Sequence, residues 1–320
     1  MTTILSLSNS TSYPARLTSL IAAMVVLATV SATSAQQAFN TPERAADALV
    51  TAARTGDQKS ILTILGRGSA DIVSSGDATA DASARDRVIK AYDAKHQIVM
   101  DGPDKATLVI GPEDWPFPIP LVRKGSSWQF DTAAGREEIL DRRIGRNELD
   151  AIQVCLAYVD AQQEYAEQGA GGKGTYAQRI VSRPGQKDGL YWPAQSSTDE
   201  SPLGELAASA ATEGYRVGQQ RTPYHGYYYK ILTRQGPDAP GGALDYVVRG
   251  KMIGGYALVA YPAAYRNSGI MTFLVNHQGD VYQKDLGPNT AGIAAGMTAF
   301  NPDSTWQRVT DTAQLGAGAK

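Results

Sequence analysis

Residue types that carry chemistry in exported proteins are scarce in this chain. Its 320 residues include one cysteine, Cys155, and three histidines, His96, His225 and His277. A single cysteine excludes an internal disulfide, and the histidines lack the spacing of a metal site. We therefore expect no metal or other cofactor. Cys155 falls on the apolar stripe of a predicted helix, which indicates a small core residue rather than a reactive thiol.

The chain also lacks an excess of charge of one sign. Lys and Arg number 30 and Asp and Glu 32, so the formal net charge is −2. This balance argues against nucleic acid as a partner, because nucleic acid is bound by basic surfaces. After residue 35 no segment is apolar and long enough to predict a membrane span in the mature chain.

The most apolar stretch lies near the N-terminus. Residues 20–30 (LIAAMVVLATV) follow Arg16 and precede the small residues Thr33, Ser34 and Ala35. A basic flank, a short apolar segment and small residues, in that order, indicate a secretory signal peptide. We predict a signal peptide over residues 1–35, cleavage near Ala35, and a periplasmic or secreted mature protein without a lipid anchor.

Hydrophobic patterning predicts two α+β domains in the mature chain. Residues 36–131 read as three helices, the third capped by Asp81, and then four antiparallel strands. Residues 132–146 are predicted to form a connecting helix, with a bend at Gly145. Residues 147–320 are predicted to open with a long helix capped by Asn147 and to continue in antiparallel strands. The first layout resembles the cone-shaped fold of nuclear transport factors, and the second resembles type IV pilins.

The long helix is predicted from its apolar spacing. Leu149, Ile152, Leu156 and Val159 recur at intervals of three and four, which places them on one helical face. The Gly-rich segment after Glu167 is predicted to end the helix.

A dense run of both charges precedes this face and contains four candidate binding residues, Arg142, Arg143, Arg146 and Glu148. One interpretation is a solvated helix face with surface ion pairs. The other is a partly buried ionic network at a hinge between the domains, because the planar guanidinium of Arg suits such networks. We predict the hinge, with the Arg side chains reaching nearby carboxylates, among which are Asp131 and those of residues 138–150.

Two aromatic residues form a second candidate binding site. Trp115 and Phe117 alternate with prolines in WPFPIP, which forbids a helix and predicts an extended edge segment. They either pack on the first sheet or form the aromatic lip of a pocket in its cone.

The chemistry of catalysis has few candidates. GGKGT at residues 171–175 lacks the Ser or Thr that must follow the lysine of a phosphate loop, and a GxSxG nucleophile motif is missing. His225, flanked by Tyr224 and Tyr227, is the weak catalytic candidate as a general base. A hydrogen-bonded loop histidine is the plainer interpretation.

Several phrases carry a family resemblance along most of the chain. GDATADASARDR, WPFPIPL, FDTAAGREEILDRRIGRNEL, YHGYYYKILTRQGPDAPGG and FLVNHQGDVYQKDLG follow one another in this order. The chain thereby resembles the secreted bacterial family of domain of unknown function 2950. The resemblance implies export and an envelope location, and it transfers no catalytic residue.

Together these features predict an exported, non-catalytic protein that binds an envelope protein or a small ligand. An alternative is an exported hydrolase that uses His225 with carboxylates of the central helix. A third is a ligand carrier with its pocket in the first domain, lipped by Trp115.

Overall fold

The first helices begin where the sequence supplies a capping side chain. In the computed structural model, which describes residues 35–196, 199–216 and 222–310, Thr41 caps α1 (Pro42–Thr55) and Asp57 caps α2 (Gln58–Leu65). A short helix, α3 (Ala70–Val73), follows, and then α4 (Ala78–Ala94). Except for Ala35, the predicted signal peptide lies outside the described residues.

The cap predicted for α4 was wrong. Asp77, not Asp81, accepts a hydrogen bond from the backbone N–H of Ala80 at 3.0 Å. Asp81 instead accepts from the backbone N–H of Ser75. Both aspartates satisfy the sequence rule for a cap, so only the three-dimensional path of the loop distinguishes them.

The first sheet is antiparallel and packs against α1 and α2. Its strand order is β1-β2-β4-β5, with β3 paired to β2. Leu49, Ile64, Leu121 and Phe130 lie in the shared core of these helices and the sheet. The strands are β1 (His96–Met100), β2 (Lys105–Ile110), β3 (Trp115–Pro116), β4 (Leu121–Lys124) and β5 (Ser127–Phe130).

One uninterrupted helix, α5 (Thr132–Gln168), follows the first sheet. The predicted separation of two helices at Gly145 and the predicted N-cap at Asn147 were therefore wrong. Asp131 caps the helix, and Asn147 is buried within it. A glycine in a helix costs about 1 kcal/mol relative to alanine, a small amount beside the burial of Ile144 and other apolar side chains along α5.

The buried face of α5 contains most of the predicted apolar stripe, including Ile152 and Val159, but not Leu149. Leu149 is 45% exposed, whereas Ala151, Cys155 and Tyr158 are buried. This face packs on the second five-stranded sheet, which is antiparallel with the order β15-β13-β12-β11-β6. Its core contains Val259 and Phe273. The central helix therefore covers a sheet, as the long apolar stripe predicted.

The remaining elements complete this part of the chain. Two short helices, α6 (Gly204–Thr212) and α7 (Thr290–Gly296), follow α5, and the first of them was not predicted. The three-stranded sheet β14-β7-β8 contains one parallel pair, β14 with β7, and β9 pairs with β10. The strands are β6 (Tyr227–Leu232), β7 (Arg234–Gln235), β8 (Leu244–Asp245), β9 (Val247–Val248), β10 (Lys251–Met252), β11 (Ala257–Pro262), β12 (Met271–Asn276), β13 (Val281–Asp285), β14 (Ala299–Phe300) and β15 (Gln307–Arg308).

The structure is thus a mixed α+β protein with N-terminal helices, largely antiparallel sheets and a long helix on the second sheet. The described residues belong to one compact unit. None of the helices in those residues is both long enough and apolar enough to cross a membrane.

Candidate functional site

A tyrosine-rich cleft lies where α5, α6, β6 and β11 meet. Its volume is about 340 Å³. We call it the tyrosine cleft. Seven of the described residues that line it are tyrosines: Tyr158, Tyr191, Tyr215, Tyr224, Tyr228, Tyr229 and Tyr261. Aliphatic side chains supply most of the rest of the lining: Val154, Ile180, Val181, Leu203, Leu206, Ala207, Ala210 and Leu258.

Local sequence places these side chains on the cleft. On α5, Val154 and Tyr158 are four residues apart and so share a face. On α6, Leu203, Leu206, Ala207 and Ala210 recur at helical spacing and turn the apolar side of this helix toward the cleft. The cleft is therefore a gap between a helix and a sheet.

The polar groups of the lining are few. The phenol of Tyr158 donates to the carbonyl of Ala257 at 3.1 Å, so it is occupied within the fold. Among the described residues of the lining, Arg216 is the one charged residue, and its side chain is exposed. An apolar cavity with a few polar groups is the usual form of a small-molecule site.

His225 lies behind the aromatic wall of the cleft. Its ring stacks on Tyr215 with centroids 5.8 Å apart and meets Tyr224 edge-on at 4.2 Å. Its Nδ1 lies 2.8 Å from Oδ2 of Asp150, and its Nε2 lies 3.0 Å from Oε2 of Glu213. The predicted association of His225 with a carboxylate of the central helix is therefore present as a contact.

The two contacts favour the protonated imidazole. A neutral ring has one N–H and can donate to only one carboxylate, whereas an imidazolium donates to both. Burial by itself lowers the pKa of His225, but the hydrogen bond to Asp150 and the charges of Asp150, Glu213 and Asp77 outweigh it, so the pKa is raised. Among the described residues, its side chain hydrogen-bonds to Asp150, lies within ion-pair distance of Glu213, and hydrogen-bonds to no hydroxyl or thiol. Both ring nitrogens of His225 therefore face a carboxylate, which favours the protonated ring.

The backbone around His225 is tightly constrained. His225 has a φ of 50°, a left-handed conformation that is unfavourable for residues with a Cβ. Gly226 follows with a φ of 73°, and a Cβ there would lie 2.4 Å from Nδ2 of Asn147. Glycine suits this position because the φ is positive and because the side chain of Asn147, buried on α5, occupies the space that a Cβ would take.

A buried carboxylate, Asp77, joins this turn to the N-terminal helices. Asp77 is 1% exposed. Its Oδ2 accepts hydrogen bonds from the phenol of Tyr215 at 2.9 Å and the backbone N–H of Gly226 at 3.0 Å. Sequence reasoning missed this role because it assigned the cap of α4 to Asp81.

The four charged candidates of the central run are brought to different places. Arg142 pairs with Glu138 on the exposed surface, and Arg146 is exposed without an ion pair to any described residue. Arg143 is half-buried, and it donates to the backbone carbonyls of Asp71 and Ile72 and to the side-chain oxygen of Asn267.

Glu148 and Asp131 also bind backbone groups. Oε1 of Glu148 accepts from the backbone N–H groups of Ile270 and Met271 at 2.9 and 3.0 Å. Asp131 caps α5. Of the predicted arginine–carboxylate pairs, that of Arg142 with Glu138 is present, whereas Arg143 and Glu148 bind neutral backbone and amide groups. Arg136, earlier in the same run, pairs with Asp71.

Trp115 and Phe117 lie away from the cleft. Trp115 is 39% exposed on β3 and meets Phe117 edge-on, with centroids 6.4 Å apart. Phe117 contacts Phe130 in turn, at 6.3 Å. Neither lines the tyrosine cleft. Whether they bind a partner stays a prediction.

The described residues contain no group of three or more His, Cys, Asp or Glu side chains placed to hold a metal ion.

In comparisons with known proteins, the family model described as "Protein of unknown function (DUF2950)" matches residues 36–309. No curated protein and no solved structure matches the chain.

Proposed function

Since the chain belongs to the DUF2950 family, whose description assigns no activity, we propose from its geometry that it is an exported, non-catalytic protein that binds a small apolar molecule in the tyrosine cleft. The observation that carries this proposal is the cleft itself. Its volume of about 340 Å³ is that of a small-molecule site. Its lining combines aromatic and aliphatic surface with few polar groups.

A small molecule fits the cleft better than a protein partner does. A stable protein interface buries about 800 Å² on each side and is broad. The tyrosine cleft is instead concave and bounded by four elements of the same fold. The aromatic rings of its wall offer a ligand large, rigid contact areas at low entropic cost.

Binding also fits His225 better than catalysis does. A general base needs a lone pair within reach of a substrate proton. Both ring nitrogens of His225 face carboxylates, at 2.8 and 3.0 Å. The arrangement supports the wall formed by Tyr215 and Tyr224, and it leaves the ring no atom for proton abstraction.

The hydrolase alternative depends on the contact between His225 and Asp150. For it to hold, Glu213 would have to release Nε2 when substrate enters. Hydrolysis of p-nitrophenyl esters that is lost in His225→Asn and retained in Glu213→Gln would favour this alternative. Equal background rates in all three proteins would favour binding.

Export is part of the proposal and is supported by the sequence. The apolar segment over residues 20–30 and the small residues before Gln36 have the order of a signal peptide. The family match begins at residue 36, directly after Ala35. An intact mass beginning at Gln36 for protein recovered from the periplasm would test this part, and a mature chain that retains Met1 would contradict it.

The proposal also includes the resemblance of each part of the chain to a known fold. The N-terminal part would be a cone of nuclear-transport-factor type, and the part built on α5 would be pilin-like. We place the ligand in the tyrosine cleft rather than in the cone, because Ile119, Leu121 and Phe130 are buried in the core between the first sheet and its helices.

The test is binding of the fluorescent probe 8-anilinonaphthalene-1-sulfonate to two matched variants. Ala207 is buried and lines the cleft, whereas its neighbour Ala208 is exposed on the same helix. Ala207→Phe fills the cleft, and Ala208→Phe adds the same side chain to solvent. We expect saturable binding by the native protein and Ala208→Phe, with at least tenfold weaker binding by Ala207→Phe.

Circular dichroism melts of both variants serve as the control for folding. If the folded Ala207→Phe variant binds the probe as tightly as the native protein, the tyrosine cleft is not the binding site.

A further inference from the structure

We infer that the ligand of the tyrosine cleft is a single-chain amphiphile with an anionic end group, and that Arg216 binds this group. The inference rests on the proposed function and adds the chemical class of the ligand. It follows from the distribution of charge, hydrogen-bond donors and apolar surface around the cleft.

Arg216 is the first part of the argument. It lies just after α6, it lines the cleft and its side chain is exposed. Within the part of the chain that the structure describes, it has no ion pair or hydrogen-bonded side-chain partner. A guanidinium carries five donors in a planar fork that matches a carboxylate. Arg216 is therefore a cation whose donors are not taken up by any residue that the structure describes.

The carboxylates close to the cleft are already engaged. Asp150 and Glu213 bind His225, and Asp77 binds Tyr215 and the N-terminus of α4. None of the three lines the cleft. A ligand entering it meets one positive charge, and no negative charge among the described lining residues.

Phenol groups add further donors. Tyr224 and Tyr228 line the cleft, and their hydroxyls form no hydrogen bond to a described residue. Burial raises the pKa of Tyr224, so its hydroxyl stays protonated at neutral pH. These two hydroxyls and the guanidinium of Arg216 complement a ligand end group whose oxygens accept hydrogen bonds.

The aliphatic lining of the cleft favours a ligand with an apolar chain. Val154, Leu206 and Leu258 belong to its aliphatic lining, between α5, α6 and β11. Burial of apolar surface supplies roughly 25 cal/mol per Å². A ligand with an aliphatic chain and an anionic end therefore matches both the apolar body and the charge of the site.

The alternative ligand is an organic cation, because aromatic rings attract quaternary ammonium groups. Arg216 opposes it, because a second cation in the same cleft is repelled. The lining residues that the structure describes also include no carboxylate to accompany a bound cation. The charges thus favour the anion.

The experiment compares three probes of equal chain length below their micelle concentrations: dodecanoate, dodecan-1-ol and dodecyltrimethylammonium. Each is titrated calorimetrically into the full mature protein at low salt. We expect dodecanoate to bind about two- to fivefold more tightly than the alcohol, as for one exposed ion pair. Arg216→Gln should abolish this ratio without weakening the alcohol. Arg142→Gln, which removes an exposed arginine outside the cleft, should leave the ratio unchanged.

Equal affinities for the acid and the alcohol in the native protein, or a ratio that survives Arg216→Gln, would overturn the anionic ligand and leave the proposed function intact. Tightest binding of the ammonium probe would overturn it in favour of an aromatic cage. Binding of no probe, together with unaltered dye binding by Ala207→Phe, would remove the proposed function itself. Co-sedimentation with anionic phosphatidylglycerol vesicles that is lost in Arg216→Gln would contradict a free monomeric ligand.

Discussion

The carboxylate of Asp77 accepts a hydrogen bond from the phenol of Tyr215 at 2.9 Å across 138 residues of sequence. The same carboxylate caps α4 and binds the backbone N–H of Gly226. One buried side chain therefore joins the N-terminal helices, the wall of the tyrosine cleft and the turn that carries His225. The groups that donate to Asp77 are neutral, and in this buried region they depend on its carboxylate as their hydrogen-bond acceptor.

Removal of this carboxylate should be costly. We expect Asp77→Ala to lower the free energy of unfolding by about 3 kcal/mol, because it leaves two buried donors unsatisfied and removes a helix cap. Tyr215→Phe removes one of these bonds and also the bond that its phenol accepts from the backbone N–H of His225 at 3.3 Å, and it should cost about 1 to 2 kcal/mol. Urea unfolding of both variants provides the measurement. Asp57→Ala, which removes the exposed cap of α2, serves as control and should cost less than Asp77→Ala. A loss below about 0.5 kcal/mol for Asp77→Ala would show that the carboxylate is dispensable.

His225 should make stability depend on pH in a defined direction. Its pKa is raised above the ordinary 6.5, so the folded state binds its proton more tightly than the unfolded state does. The stabilisation is complete below pH 6.5 and is lost as the pH rises through the folded pKa. The difference in unfolding free energy between the native protein and His225→Gln should therefore be largest near pH 6 and should shrink toward pH 9.

Asp150→Asn provides the matched control for this pH dependence, because it removes the hydrogen-bonded carboxylate that raises the pKa of His225. The dependence should flatten in that variant. A stability difference that grows with rising pH would mean that His225 is held neutral.

Arg143 should stabilise the fold without behaving as an ion pair. Burial lowers its pKa, although the charges of Asp81 and Asp71 oppose this, and its acceptors are neutral oxygens. We expect Arg143→Ala to cost about 2 kcal/mol in thermal melts, equally at low and high salt. Arg146→Ala, at an exposed site, should stay within about 0.5 kcal/mol. A loss at Arg143 that disappears with salt would restore the ionic network predicted from the sequence.

Cys155 should be inert in the folded protein. Its side chain is buried, and burial raises the pKa of the thiol to about 12. Thiol reagents should therefore label it only after denaturant is added. Ala208→Cys in a Cys155→Ala background places a thiol on the exposed side of α6 and should label at once. Rapid labelling of Cys155 in buffer would contradict its burial.

The local sequence pattern predicted most helices and strands, but not that two predicted helices continue into one another. The spacing around Ile152 and Val159 predicted the second half of α5. Continuity through Gly145 could not be predicted, because packing on both sides outweighs the local preference of one glycine. Short α6 was missed although its Ala-rich sequence favours a helix.

The candidate site was harder to predict for a different reason. Its residues come from α5, the segment around Tyr191, α6, β6 and β11, and nothing in a single sequence relates these segments in space. The histidine could be selected because only three are present, and its proximity to a carboxylate of the central helix was foreseen. Asp77 could not be selected, because a buried cap and an exposed cap have the same local sequence signal.

The measurement that tests the central claim most directly is an NMR titration of protein carrying ring-labelled tyrosine. Dodecanoate is added, and signals are assigned by Tyr→Phe substitution. We predict saturable shifts for Tyr158, Tyr224 and Tyr228, which line the cleft, and none for Tyr92 and Tyr246, which lie outside it. Shifts at Tyr92 or Tyr246 without shifts at the cleft tyrosines, or no saturable shift at any ring, would contradict ligand binding in the tyrosine cleft.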